Sequence, residues 1–169
     1  ALGYEDEEAF VQALLEGQPE APRYFAMMKK LNKEGPAVLN SLPRPPQLES
    51  ARLPSLLAEG ATVVDIRPAE QFAAGHIPGT INIPADNAFT NWAGWLLSYD
   101  QPFYLITNSE SLLQAVHDLI YIGLDNIGGY FDVSAVAGWR NLQSYSSLTS
   151  TQVADQIASG NVTVLDVRG

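Results

Sequence analysis

Asp65-Ile-Arg67-Pro-Ala-Glu70-Gln-Phe72-Ala-Ala-Gly75-His76-Ile77-Pro78-Gly79-Thr80-Ile-Asn-Ile-Pro84 is the stretch on which the reading of the chain turns. It follows the apolar run Thr62-Val63-Val64, so Asp65 stands at the end of a buried strand and Arg67 just past it. Residues 68–74 read as a short helix. Gly75 and Gly79 permit tight turns, and Pro78 fixes the entry to a second short strand, 80–83. Asp65, Arg67 and Glu70 are placed for hydrogen bonds and an ion pair holding the loop. His76 sits between turn residues, where a loop anchor is a better reading than a catalytic or ligand role.

Outward from this stretch, strands and helices alternate. A helix through Leu53, Leu56 and Leu57 ends at Gly60, and the strand 62–66 follows. An aromatic-rich helix over roughly 86–98 carries Phe89, Trp92, Leu96 and Tyr99 at helical spacing. Trp92 and Trp95 read as core packing plus a surface contact. Residues 103–106 form a third strand. Ser109 or Ser111 then caps a helix carrying Leu112, Leu113, Val116, Leu119 and Ile120, which stops near Gly123. His117 is expected on the solvent side of that helix. The alternation predicts an α/β fold with a parallel sheet covered on both faces.

Both ends have a different character. The first 35 residues read as two helices. One has Glu5–Glu8 in its first turn, an apolar stripe of Phe10, Val11, Leu14 and Leu15, and a stop at Gly17. The other carries Tyr24, Phe25, Met28 and Leu31, with Lys29, Lys30 and Lys33 toward its end at Gly35-Pro36. Two amphipathic helices cannot bury both stripes alone, so they should dock on the rest of the chain or on a missing part. Pro36, Pro43, Pro45 and Pro46 mark a stiff linker and a domain boundary. Near the other end, 150–160 resembles 50–60, and 162–168 resembles 61–67, each repeat closing on Asp-x-Arg (Asp65/Arg67 and Asp166/Arg168). This reads as the opening of a second copy of the domain. Three regions are therefore expected: 1–45, 46–145 and 146–169, together a fragment of a longer protein.

Composition narrows the chemistry. Nineteen Asp and Glu face nine Lys and Arg, a formal net charge of −10 over 169 residues. Such a chain repels nucleic-acid phosphate and anionic membrane surface, so neither is an expected partner. There is no cysteine, which removes disulfides, thiolate metal sites and any Cys nucleophile. No apolar run approaches the roughly 20 residues of a membrane-spanning helix. A soluble, cytoplasmic protein is the default expectation.

The stretch 65–84 resembles the first signature of the rhodanese (sulfurtransferase) domains: Asp-x-Arg, an aromatic, Gly-His-Ile-Pro-Gly-Ala and a short apolar strand. Thr80 alone departs from it, in place of the usual Ala. Gly123 to Gly128-Gly129, leading to Trp139, resembles the family's second landmark. The likeness covers roughly 48–145 and implies a three-layer α/β/α fold around a central parallel sheet. It also implies a mechanism in which a Cys thiolate at the end of the central strand carries sulfur as a persulfide, cradled by backbone N–H groups and a helix N-terminus.

In this sequence Thr107 occupies that Cys position. The loop Thr107-Asn108-Ser109-Glu110-Ser111-Leu112 holds no Lys or Arg, and Glu110 is expected to put negative charge where an anionic donor would bind. A hydroxyl without an adjacent base is a poor nucleophile and cannot store sulfane sulfur. The expected catalytic set is therefore empty. The residues read as structural are Asp65, Arg67, Glu70, His76, Gly79, Gly128, Gly129 and Trp139.

Residues 17–36 further resemble the C-terminal helices of a metallo-β-lactamase-fold domain that precedes rhodanese-like domains in fusion proteins. The resemblance implies a parent persulfide dioxygenase with iron, or zinc, in a missing N-terminal domain, and neither cofactor in this segment. The implied partners are that domain, a following rhodanese domain and further copies of the same chain. A zinc-dependent glyoxalase II-like parent, a small-ligand-binding module and new chemistry at Thr107 are the alternatives. The last of these has no supporting constellation.

Overall fold

Hydrophobic alternation along two central strands builds the molecule. A computed structural model describes residues 3, 6–16, 21–36, 38–39, 41–160 and 162–166. Its strands are β1 (Thr62–Asp65), β2 (Ile81–Asn82), β3 (Phe103–Thr107) and β4 (Ile127–Asp132), all parallel, in the order β2-β1-β3-β4. Val64, Phe103, Leu105 and Tyr130 face one side and pack with the helices α5 (Phe89–Leu96) and α6 (Ser109–Tyr121). Val63, Ile106 and Phe131 face the other, against α3 (Leu53–Ala58) and α7 (Ser134–Ala137). Central strands buried on both faces are the signature of a parallel sheet between helical layers. The expected three-layer α/β/α fold is present. The short α4 (Ala69–Ala74) joins β1 to β2.

The Gly128-Gly129 landmark lies inside β4, a strand the sequence pattern did not reveal because glycine weakens strand character. Phe103 pairs with Ile127 and Tyr104 with Gly129, which leaves Gly128 as an extra residue in the ladder. A Cβ on Gly128 would stand 2.7 Å from the Tyr104 ring, and one on Gly129 would stand 2.9 Å from the Pro46 carbonyl oxygen. The second glycine lets residues 46–48 cross close to β4. There the Tyr130 N–H donates to the Pro46 carbonyl (2.9 Å) and the Leu48 N–H to the Tyr130 carbonyl (2.8 Å). The proline linker thus ends by covering an open sheet edge.

The first helix, α1 (Glu7–Leu15), is capped by Asp6, whose Oδ1 accepts from the Ala9 N–H at 2.7 Å. It buries no residue, and Val11 and Leu15 remain exposed. The Gly17 stop falls outside the described residues. By contrast, α2 (Arg23–Glu34) docks on the rest of the chain. Tyr24 packs on the α5 side of the core against Gly94, where a Cβ would collide with its ring. Leu31 and Met27 lie over Gly123.

At the other end α8 (Ser150–Ala158) forms as the repeat predicts, with a capping box between Thr149 and Gln152. The matching strand does not form. Residues 162–166 have no regular secondary structure and are exposed, with Leu165 at 81%. β1 is paired on both sides, whereas among the described residues this segment has no neighbouring strand, and a lone strand has no ladder to stabilise it. Arg168 lies outside the described residues.

Candidate functional site

The carboxyl ends of β1 and β3 open into one cavity of about 710 Å³, the usual place for a site in a parallel sheet. Asp65 ends β1 fully buried, and its carboxylate is enclosed by Arg67. The Arg67 backbone N–H (3.0 Å) and Nε (2.9 Å) donate to Oδ1, and Nη2 donates to Oδ2 at 2.7 Å. Nη2 also donates to the Gly75 carbonyl at 3.0 Å, which ties the strand end to the far side of α4. Asn82 Nδ2 donates to the Asp65 and Arg67 carbonyls, fixing β2 to the same loop. Glu70 is exposed in the first turn of α4, so the ion pair is Asp65–Arg67 alone and not a set that includes Glu70. The reason is geometric: a two-residue reach folds the guanidinium back onto Asp65.

His76 anchors the loop, as its position between turn residues predicts. Its Nδ1 donates to the Phe72 carbonyl (2.9 Å), and its ring stacks on Phe72 at 4.0 Å. Gly79 takes φ +86°, a conformation that L side chains rarely adopt. The departing Thr80 is buried with its hydroxyl donating to the Ile77 carbonyl at 2.7 Å, so it leaves no unsatisfied polar atom. Trp139 is half-buried and packs on the core beneath α7.

Thr107 ends β3 on the floor of the cavity at 2% exposure, its hydroxyl donating to the Asn108 carbonyl at 3.2 Å. The residues after it do not form a loop. Asn108 is the N-cap, its Oδ1 accepting from the Ser111 N–H at 2.8 Å, and α6 begins at Ser109. The cap is neither Ser109 nor Ser111, because the Asn108 side chain already satisfies the free N–H of the first turn. Ser109, Glu110, Ser111 and Leu112 are therefore helix.

The first turn divides these residues. Thr107, Asn108 and Ser111 line the cavity, and Leu112 belongs to the core. Ser109 and Glu110 are exposed and are not part of the lining. Where the linear reading puts Glu110 in a loop over the site, it lies in the first turn of α6, rotated away from the residues that line the wall.

The remaining wall is apolar: Ile66, Ala74, Val133, Val136, Ala137 and Leu142. Sequence reasoning missed this set. For Val133, Val136 and Ala137 the signal was the short apolar run between the glycine pair and Trp139. Gln71 and Arg67 complete the polar part, and Arg67 is the one cation of the lining, already paired.

Away from the cavity, three groups have displaced acidities. Burial, with Tyr24 adding to it, pushes the Tyr99 phenol up to about 12 while its OH donates to the Ile122 carbonyl. Hydrogen bonds from the Ser134 hydroxyl and N–H hold the Asp132 carboxyl below its ordinary range, and burial raises Asp125. His117 is half-buried, with its side chain still 40% exposed on α6. Its ring meets the Tyr121 ring edge-on at 4.4 Å, and its Nδ1 lies 3.8 Å from Asp118 Oδ1. Among the described residues no group of three His, Asp or Glu could hold a metal ion. No helix among them is long and apolar enough to cross a membrane.

The sheet order, the buried Asp-x-Arg pair and the cavity beyond β3 define a class, and the comparisons agree with it. The family model for the rhodanese-like domain matches residues 50–138, just over half of the chain. The chain belongs to that family. A metallo-β-lactamase crystal structure from Staphylococcus aureus is similar at 36% identity over 76% of this chain, with a TM-score of 0.63. The chain spans only 36% of that structure's length. The wild-type structure of EanB is 17% identical over 75% of this chain and 34% of its own, with a TM-score of 0.52, a likeness of fold. Comparison with curated proteins gives no match.

Proposed function

We propose that this rhodanese-like domain is catalytically silent and serves as a scaffold, or as one wall of a substrate route, in a sulfur-metabolising fusion enzyme. The observation that carries this reading is Thr107 on the cavity floor in a chain without cysteine. Sulfur transfer needs an atom that bonds sulfane sulfur and releases it, and a hydroxyl hydrogen-bonded to a carbonyl is not one. Arg67, the cavity's cation, is neutralised by Asp65, which weakens any pull on an anionic donor.

The parent is read as a metallo-β-lactamase-fold persulfide dioxygenase followed by rhodanese-like domains, in the cytoplasm. The likeness to the larger Staphylococcus aureus structure supports a fusion, and the partners are then the neighbouring domains of the same chain and further copies of it. The iron or zinc of such a parent does not fit the described residues of this segment. His76 already uses Nδ1, and His117 lies on a separate helix beside a single carboxylate.

The test is direct. The 169-residue chain is incubated with thiosulfate and cyanide, and thiocyanate is measured against a blank. It is then exposed to ³⁵S-labelled donor and analysed by mass spectrometry. Thiocyanate at the blank level and no adduct are expected; a covalent sulfur adduct overturns the reading.

A further inference from the structure

One wall of the cavity is held differently from the rest. Residues 142–145 run antiparallel across the end of α4 through three backbone hydrogen bonds. The His76 N–H donates to the Gln143 carbonyl and the Gln143 N–H to the His76 carbonyl, both at 2.9 Å, and the Tyr145 N–H donates to the Ala73 carbonyl at 3.0 Å. All four residues are exposed. The Tyr145 ring rests edge-on against His76, with centroids 5.9 Å apart.

Leu142 nevertheless forms part of the cavity wall. It covers Gly75 so closely that a Cβ there would stand 3.2 Å from Leu142 Cδ1. Every other apolar wall residue comes from the β1–α4 connection, α4 or the α7 region. Apart from the Tyr145 ring, which also meets the buried Phe72 at 6.3 Å, the segment is held by exposed backbone hydrogen bonds, and such bonds with few buried contacts mark the low-stability end of a structure.

We infer that residues 142–145 are a strap that gates the cavity above Thr107, opening by release of these hydrogen bonds while the sheet stays folded. The strap is followed by exposed residues 146–148 and then by Thr149, the N-cap of α8. This goes beyond the silent-scaffold reading and does not depend on it, since it concerns access rather than chemistry.

The absence of cysteine makes the test clean. Thr107→Cys introduces one thiol on the floor, and its reaction with Ellman's reagent reports access. Gln143→Pro and Tyr145→Pro each delete one strap donor at an exposed position. Each should speed labelling by about five-fold, the equilibrium shift expected when one hydrogen bond is lost. Leu113→Ala, exposed on α6, should leave the rate unchanged.

Equal rates in all variants, with far-UV circular dichroism preserved, overturn the proposal. If the proline variants lose their dichroism, hydrogen exchange in the otherwise unsubstituted chain decides instead. The Gln143 and Tyr145 amides should exchange faster than that of Leu105 in β3. Exchange as slow as Leu105 means the strap opens only on global unfolding, and the inference fails.

Discussion

Removing the Asp65 carboxylate should cost the domain much of its stability without touching any chemistry. Asp65 is fully buried and the Arg67 side chain is only 14% exposed, so neither charge is well solvated. Asp65→Ala strands a buried guanidinium with only the Gly75 carbonyl as a named acceptor. Deleting one partner of a buried pair typically costs about 3–5 kcal/mol. A domain of this size has roughly 5–15 kcal/mol in total. In urea, where ΔG falls by about 1–3 kcal/mol per molar, the midpoint should drop by roughly 2 M. The assay is equilibrium unfolding followed by tryptophan fluorescence. Asp65→Ala/Arg67→Met removes both charges and should be more stable than Asp65→Ala alone by about 2 kcal/mol, since no unpaired ion remains. A single variant within about 1 kcal/mol of the parent, or a double variant that merely adds the two losses, would refute the claim that this pair locks β1 to α4.

Thr107→Cys alone should produce no thiocyanate above the blank, because the cavity has no unpaired cation; a strong rescue would show that an anion site persists there. Gly94→Val should force Tyr24 off α5 and cost about 1–3 kcal/mol, read as a lower thermal midpoint together with faster proteolysis of α2. Tyr99 holds its proton up to about 12 when folded, against an ordinary value of 10.0. Its contribution is present below pH 10 and is lost as pH rises from there toward 12, so Tyr99→Phe should flatten the alkaline limb of a stability–pH curve. Asp132 runs the other way. Its folded acidity is strengthened, so its contribution is present at neutral pH and lost on acidification through the carboxylate range, and Asp132→Asn should shallow the acid limb.

The elements that the sequence revealed are those with a strong local pattern. The run 62–66, the turn chemistry of 75–79 and the stripe Leu112/Val116/Leu119 each dictate their own structure, and all three lie where that pattern puts them. β4 was hidden because its two glycines serve tertiary neighbours, the Tyr104 ring and the crossing segment 46–48, which leave no trace in local propensity. The helical start at Ser109 was hidden for a related reason. Family likeness suggested a loop, whereas Asn108 caps the first turn at once and rotates Glu110 off the wall. The strap was invisible because its hydrogen bonds join residues about 70 positions apart in sequence.

The motif divides into two parts that answer to different physics. Asp65, Arg67, His76 and Gly79 match the family pattern and are all engaged in holding the loop, through a buried ion pair, a carbonyl-bound imidazole and a left-handed turn. Loss of any of them disturbs packing, whatever the domain does. Position 107 carries no such demand. Its side chain makes one long hydrogen bond to the next carbonyl, and its burial asks only for a small residue whose polar atom is satisfied. A nucleophile can therefore be replaced there without loss of the fold, while Asp65–Arg67 cannot. That separation accounts for a chain whose first signature departs only at Thr80 while its cavity floor carries the hydroxyl of Thr107 and no thiol.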